Sequence, residues 1–590
     1  MKRNLIFLAV ALSAAVSCDL TTVPEDNVTP DSYFKSPVSH EQWLNKCYSQ
    51  FDDVSIYMME ADDVVDKMPT RFFNRTLLPS TETWSWTMLR HINYYLEHAD
   101  ICEDKAAVEY YKSIALFHRA WFYFNMVRQY GDIMWYDKVI GSTDADLLYK
   151  SRDDRAFVVD RIIEDLDAAA SGLAGTEKNA LSTNITEWAA LALKTRVCLF
   201  EGTYRKYHGL DGYEHFLEEC VKAADRIISS GKFSVYSEGE TPYRDAFFFT
   251  NYPECEAILC RAYSSALSMN HTLDVSLPAG GTGFTQRFVN HYLMKDGSRI
   301  TSVEGYETMG FKEVFEGRDP RMAQTIWGPG AVDMMGNEGV DAFKLRSVTG
   351  YFPLKFMRDI GRTIAMNTNV ILFRYPEILL AYAEAKAELG KLGSDDVRKT
   401  IDVIRARVGM PAMDLSKAMT APDELLSEYY PHVMELNPSN YGVILEIRRE
   451  RTVELVMEGH RQWDVIRWAE GQSIDNRKHP FLGVYFPGPG CYDLSGNGKP
   501  DVELYLVDEE GHPIGLTGDA PFSFAIGEDI FFQDGSDGKM LTGGNIVALK
   551  ALDYAFNENR DYLHPIPAAQ RALCGGKLSQ NPGWEDGITF

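Results

Sequence analysis

Ser113-Ile114-Ala115-Leu116-Phe117-His118-Arg119-Ala120-Trp121-Phe122-Tyr123-Phe124, closed seven residues later by Gly131, decides the fold class. Ile114, Phe117, Trp121 and Phe124 recur at steps of three and four, the spacing of one helical face. Gly131 supplies a stop. Outward from this helix the same period returns in separate blocks. Residues 185–202 carry a stripe of Trp188, Leu191, Ala192, Thr195, Cys198 and Leu199. Thr183 or Asn184 is placed to cap its start, with Glu187 as a capping-box acid. A turn at 209–212 leads to a third helix over about 213–230, ended by Gly231. The last two form an αα-hairpin of roughly tetratricopeptide size. Ala189, Ala190, Ala223 and Ala224 sit where its helices would approach closely. Residues 371–389 are expected to be helical with a stop at Gly390. A helix over 395–407 follows, then a long one over about 441–471.

Between these blocks the texture changes. Residues 232–369 are rich in Gly, Pro and aromatics, with short β-like runs. Residues 472–590 are similar, with hairpin signals at Asp534-Gly535 and Asp537-Gly538. The expected plan is mainly α. A helical-repeat scaffold, about 88–231 and 370–471, carries a loop-rich ligand-binding insertion (about 232–369) and an irregular C-terminal part (472–590). Loops on a rigid scaffold are where binding concentrates.

The N-terminus sets the compartment. Lys2 and Arg3 precede an apolar run from Leu5 to Val16, interrupted only by Ser13. A run of about a dozen residues is too short to cross a ~30 Å hydrocarbon core and fits an export signal. It ends Ala15-Val16-Ser17-Cys18, which resembles a bacterial lipobox. Residues 1–17 are therefore expected to be a lipoprotein signal peptide, Cys18 the lipidated residue, 18–32 a tether and 33–590 the body. The 59 basic and 85 acidic residues give a net charge of −26 with no Lys/Arg-rich run. Nucleic acid, which demands a basic patch, is not an expected partner. The other eight cysteines show no CxxC and no zinc spacing. Cys255 and Cys260 are close enough to pair across a turn, while Cys198 reads as a buried free thiol.

Five segments together resemble the SusD/RagB family of Bacteroidetes nutrient-binding lipoproteins. They are Arg119-Ala120-Trp121-Phe122-Tyr123-Phe124 with Tyr130-Gly131-Asp132-Ile133; Asp319-Pro320-Arg321; Phe373-Arg374-Tyr375-Pro376-Glu377 running to Ala385, with Ile404 to Gly409; Glu450-Arg451 through Glu454, Glu458-Gly459, Arg461 and Asp464 to Arg467; and Tyr562-Leu563-His564-Pro565-Ile566-Pro567 with Gln580-Asn581-Pro582-Gly583-Trp584. With the lipobox they span nearly the whole chain in order. The resemblance implies a tetratricopeptide-type scaffold with loop-rich, partly β insertions. It also implies an outer-membrane, lipid-anchored protein facing the cell exterior. Such a protein is not an enzyme: it captures a glycan and passes it to a SusC-like TonB-dependent transporter. A peptide or other nutrient is the alternative cargo, and a secreted α-helical glycoside hydrolase the alternative class.

Arg451, Glu454, Glu458, Arg461 and Asp464 recur at three- and four-residue spacing and so are expected to line one helical face with mixed sign. Neighbouring arginines would keep these carboxylates ionised, the opposite of what a general acid needs, so an ion-pair network is expected. The tail motif reads as a turn that tucks Trp584 into the body. Asp493, Ser495, Asn497 and Asp501, with the Lys499 carbonyl, fall at calcium-loop spacing around Gly498, but Leu504 stands where a bidentate Glu belongs. The loop is a candidate structural calcium site, no cofactor being required; the other reading is a turn joining two strands. Sugar rings stack on flat aromatic faces. Phe73, Asn74, Trp84, Tyr306 and Trp327, in loops, are the candidate ligand-contacting residues. Trp84 and Trp86 precede a helix containing Ile92-Asn93, a placement resembling the family's binding face.

Overall fold

The computed structural model describes residues 29–70, 79–80, 84–175, 182–336, 347–361 and 364–588. Helix (44%) outweighs strand (11%), so the chain is mainly α. Helices α1 (Pro37–Leu44) and α2 (Thr87–His98) lean on α3 (Lys105–Tyr130). From there the scaffold is a row in which each helix packs on the next: α3, α4 (Arg155–Leu173), α5 (Glu187–Tyr207), α6 (Tyr213–Ser229), α7 (Tyr375–Glu388). The stripe Ile114, Phe117, Trp121 and Phe124 is buried. So are His118, Arg119 and Tyr123, because α3 is covered from several sides. Gly131 ends α3 at φ +73°, and a Cβ there would reach Leu563 at 3.0 Å.

α5 and α6 meet through the expected alanines, all four buried. The helix does not stop at Gly202; it runs on to Tyr207, and Gly202 lies against Leu217, where a Cβ would come within 2.7 Å. Its cap is neither Thr183 nor Asn184. The Thr186 side chain accepts from the Ala189 N–H, which leaves Glu187 free to pair with Arg226 of α6 at 3.3 Å.

Three other helices differ from expectation. Residues 370–374 are a strand, β2 (Val370–Arg374), antiparallel to β1 (Ala257–Arg261), and α7 begins only at Tyr375 with Pro376 in its first turn. A short apolar run does not distinguish a buried strand from a buried helix. Here the run is buried along its length: Val370 and Ile371 enter a second core, and Leu372 and Phe373, after them, the helical core. The expected helix over 395–407 is two, α8 (Ser394–Lys399) and α9 (Ile401–Ala406), broken at Thr400, whose hydroxyl bonds back to the Asp396 carbonyl at 2.6 Å. The long helix over 441–471 is α10 (Tyr441–Glu454) and α11 (Arg461–Arg467). Met457 and Gly459 turn at positive φ between them, and Gly459 abuts Ile56.

The second core gathers Tyr243, Phe284, Phe288, Tyr292, Trp327, Phe352 and Val484 from the irregular segments. Around it lie β3 (Phe481–Phe486) with β7 (Gly544–Ala548), the hairpin β4 (Gly490–Tyr492) and β5 (Val502–Val507), and β6 (Phe522–Ala525) parallel to β5. Cys255 and Cys260 are both free thiols, the first exposed and the second buried on β1, so the pairing is not made.

Buried ion pairs occupy the seam between the two cores. Arg374 reaches Glu458 at 2.6 Å, Glu454 at 2.7 Å and Glu256 at 3.0 Å. Arg321 holds Asp319 at 2.7 Å and Glu450 at 2.6 Å; Lys355 holds Glu458 at 2.6 Å; Arg407 holds Glu454 at 2.5 Å. The network is thus assembled from β2, α10 and the turn after it together with Glu256, Asp319, Arg321, Lys355 and Arg407, not from one helical face.

At the tail, Asn581 is the buried anchor. It accepts from Arg152 at 2.7 Å and donates to the carbonyls of Tyr130 and His564. Trp584 is half-buried, its indole N–H on the Leu563 carbonyl and Arg560 over its ring.

His118 is buried among Tyr48, Phe51 and Phe117, with neither ring nitrogen hydrogen-bonded among the described residues. Burial pushes its pKa down to about 3. His118→Leu keeps the volume and removes the unsatisfied groups, so it should stabilise by about 1–2 kcal/mol. The unfolded chain takes up a proton near pH 6.5 and the folded one does not. The parent therefore loses stability as pH falls from about 6.5 towards 3, and the variant should lack that component. Denaturant titrations at pH 7 and pH 5 measure both effects; a variant less stable at both would show the imidazole bound to something the fold needs.

Candidate ligand-binding cleft

Helix α2 begins directly after Trp84-Ser85-Trp86, and two clefts flank its first turn. One, about 410 Å³, is walled by Trp84, Trp86, Leu89 and Tyr136; the other, about 570 Å³, by Tyr33, Trp43, His91 and Tyr94. Thr87 and Arg90, one helical turn apart, line both.

The first cleft gets its shape from α3. Trp84 packs edge-to-face on Tyr130 at 4.9 Å and on Trp86 at 5.6 Å; Trp86 packs on Tyr136 at 5.5 Å. Both tryptophans stay half-exposed. The opposite wall, residues 136–140, is pinned from α2. Asn93 donates to the carbonyls of Tyr136 at 3.0 Å and Lys138 at 3.2 Å and accepts from Arg119, itself locked to Asp165 at 2.7 Å. Asn93 is 1% exposed. It positions the wall, to which both of its amide N–H groups are committed.

The second cleft is an aromatic ladder. Trp43 stacks on His91 at 4.4 Å, with 5° between planes, and lies 5.4 Å from Tyr94; Tyr33 meets Trp43 edge-on at 5.8 Å. The Trp43 indole donates to the His91 carbonyl and the His91 ring bonds the Trp43 carbonyl at 2.9 Å, which clasps α1 to α2. Burial lowers the His91 pKa. Flat faces with peripheral hydrogen-bonding groups are what sugar rings need.

Of the sequence candidates, Trp84 lines the first cleft. Cys18, Phe73 and Asn74 lie outside the described residues. Tyr306 sits half-exposed on a single helical turn, Tyr306–Thr308, and belongs to neither core. Trp327 must be corrected. It is 1% exposed, its indole bonded to the Ala331 carbonyl at 3.1 Å, inside the second core. Trp327-Gly328-Pro329-Gly330 is a turn as its composition suggests, but the ring points inward, and Gly328 is held where a Cβ would strike Phe315. Sequence reasoning missed Tyr33, Trp43, His91 and Arg90. The first two lie more than 40 residues upstream of α2, and no local signal joins them to it.

Residues 493–501 form the tip of the β4–β5 hairpin. Asp493 accepts N–H groups of Gly496, Asn497 and Gly498, with Lys312 Nζ at 3.4 Å; Asp501 accepts those of Leu494 and Ser495. Leu504 pairs with Gly490 in the hairpin, and Glu503 turns to the N–H groups of Thr517 and Gly518. The donor set for calcium at Asp493, Ser495, Asn497, Lys499 and Asp501 is therefore short of a closing carboxylate, and the geometry is that of a turn.

Glu454 and Glu458 do not form an acid/base pair open to substrate. Burial alone would raise Glu454, but Arg407, Arg374 and Arg321 outweigh it and hold the carboxyl at about 2. Arg374 and Lys355 likewise outweigh burial at Glu458 and lower it.

Residues 270–584 match the model of the SusD family, and residues 28–199 match one described as starch-binding and associating with the outer membrane. No curated protein matches. Among solved structures, a SusD-like protein from Bacteroides fragilis is 22% identical, covers 95% of this chain and 100% of its own, and superposes with a TM-score of 0.66. A SusD-like carbohydrate binding protein from the same species gives 17%, 92%, 99% and 0.62. A SusD superfamily protein from Parabacteroides distasonis gives 18%, 95%, 100% and 0.56.

Proposed function

The chain belongs to the SusD family of carbohydrate-binding, outer-membrane-associated proteins, and from that premise we propose that it captures a glycan at the two clefts flanking α2. The carrying observation is the aromatic lining of those clefts at the first turn of one helix, with Trp84 and Trp86 on one side and Trp43 and Tyr33 on the other. Among the described residues no helix is long and apolar enough to cross a membrane. In this reading the attachment is an acyl chain on Cys18, and the protein faces the cell exterior. Its partner is a SusC-like TonB-dependent transporter, to which it delivers the glycan unchanged. Delivery of the glycan unchanged is in keeping with Glu454 and Glu458, which their cations keep ionised, so that neither serves as a general acid near neutral pH.

Calorimetric titration against plant, host and microbial glycans, with peptides included, tests the reading. Binding to one glycan class with no reducing sugar released is the expected result. Heat from peptides alone would reassign the cargo, and sugar release lost with a single carboxylate would reinstate a hydrolase. Purification from its own membrane should bring the barrel with it.

A further inference from the structure

We infer that the glycan is acidic, a chain carrying uronate carboxylates or sulfate esters that runs from one cleft to the other across the first turn of α2. The inference rests on the glycan-binding reading above. Its basis is local charge. The chain has 85 acidic residues against 59 basic ones, yet no aspartate or glutamate lines either cleft among the described residues. Lys46, Arg90 and Lys138 do line them. All three are exposed, and none has a carboxylate partner among the described residues, in a protein that pairs its cations freely elsewhere. Of the acids near the same wall, Glu97 accepts the Val139 N–H and Asp144 the Gly141 N–H, and Asp137, exposed beside Lys138, lines neither cleft.

Arg90 is the common element. One nitrogen is braced on the Ile140 carbonyl at 2.7 Å, which fixes the guanidinium over the ridge between the clefts and leaves its other N–H groups for a ligand. A planar, braced guanidinium matches a carboxylate or sulfate in two bonds. The start of α2 has no side-chain cap, so its positive end adds to the same potential. A neutral sugar would leave these three cations uncompensated next to stacking surfaces. An acidic chain satisfies both, and its reach across Arg90 makes the two clefts one elongated site.

The test uses the full chain in detergent with polygalacturonate and alginate, each against its carboxyl-reduced form, and chondroitin sulfate against its desulfated form and against a form both desulfated and carboxyl-reduced. At least one acidic form should bind roughly tenfold tighter than its neutral counterpart and weaken as salt rises from about 50 to about 500 mM. Preference for the carboxylate or the sulfate polymers identifies the source of the charge. Arg90→Ala should lower affinity about tenfold and flatten the salt dependence, and Arg90→Lys should retain part of it. Arg90 is exposed, so neither variant should shift Tm. Lys391→Ala, at a remote surface ion pair, should change nothing. Neutral forms binding as tightly as acidic ones, or binding only to an uncharged glycan of the broad panel, would overturn the inference and leave the glycan reading intact; silence across these polymers and that panel would overturn both.

Discussion

Arg374→Met should cost the fold about 3–5 kcal/mol, because it leaves buried carboxylates without their cation. Arg374 is 1% exposed and bridges Glu256, Glu454 and Glu458, and it also donates to the Glu454 carbonyl at 2.7 Å. Glu454 retains Arg321 and Arg407, but Glu458 is left with Lys355 alone. Arg374→Lys should rescue little, since an ammonium has no fork to span three acids. Lys391→Met removes an ion pair that is about half exposed, and should cost under about 1 kcal/mol. Urea denaturation of the three variants makes the comparison. Equal stability for Arg374→Met and the parent would mean the seam is held by apolar packing alone. The network also predicts an acid limb. Glu454 is depressed to about 2, so its contribution is complete above the unfolded value near 4.3 and is lost as pH falls from there towards 2.

Trp84→Ala should cost roughly 2 kcal/mol of glycan affinity, about 30-fold, with little change in fold stability. The ring is half-exposed in the cleft and braced by Tyr130 and Trp86, so it offers a face already fixed before the ligand arrives. Trp84→Phe keeps an aromatic face and should keep most of the affinity. Trp327→Ala should behave in the opposite way. Its ring fills the second core, and its loss should cost about 3–5 kcal/mol of stability. Calorimetry paired with thermal melts separates the two. If Trp84→Ala binds like the parent, the first cleft is not the platform, and weight moves to Trp43.

The sequence by itself determined the class of the molecule and much of its scaffold. Periodicity placed α3, α5 and α6 to within a few residues at most boundaries, because an amphipathic stripe and a terminating glycine are local properties. That Glu454 and Glu458 are ionised agrees with the sequence expectation, but the cations that hold them, Arg321, Arg374, Arg407 and Lys355, are distant in the chain, while the near neighbours Arg451 and Arg461 pair with Asp464 and Asp62. Tertiary structure alone decided the rest. β2 is a strand because it pairs with β1 while passing from one core into the other, which a window of four apolar residues cannot disclose. Trp327 is core and Trp84 is rim because packing, not composition, sets which way a loop aromatic turns. The cleft exists because Trp43 and Tyr33, distant in the chain, are clasped to His91 and Tyr94. The basic character of the two clefts, in a protein of net charge −26, arises only when Lys46, Arg90 and Lys138 are brought to one surface by the packing of α1 and residues 136–140 against α2.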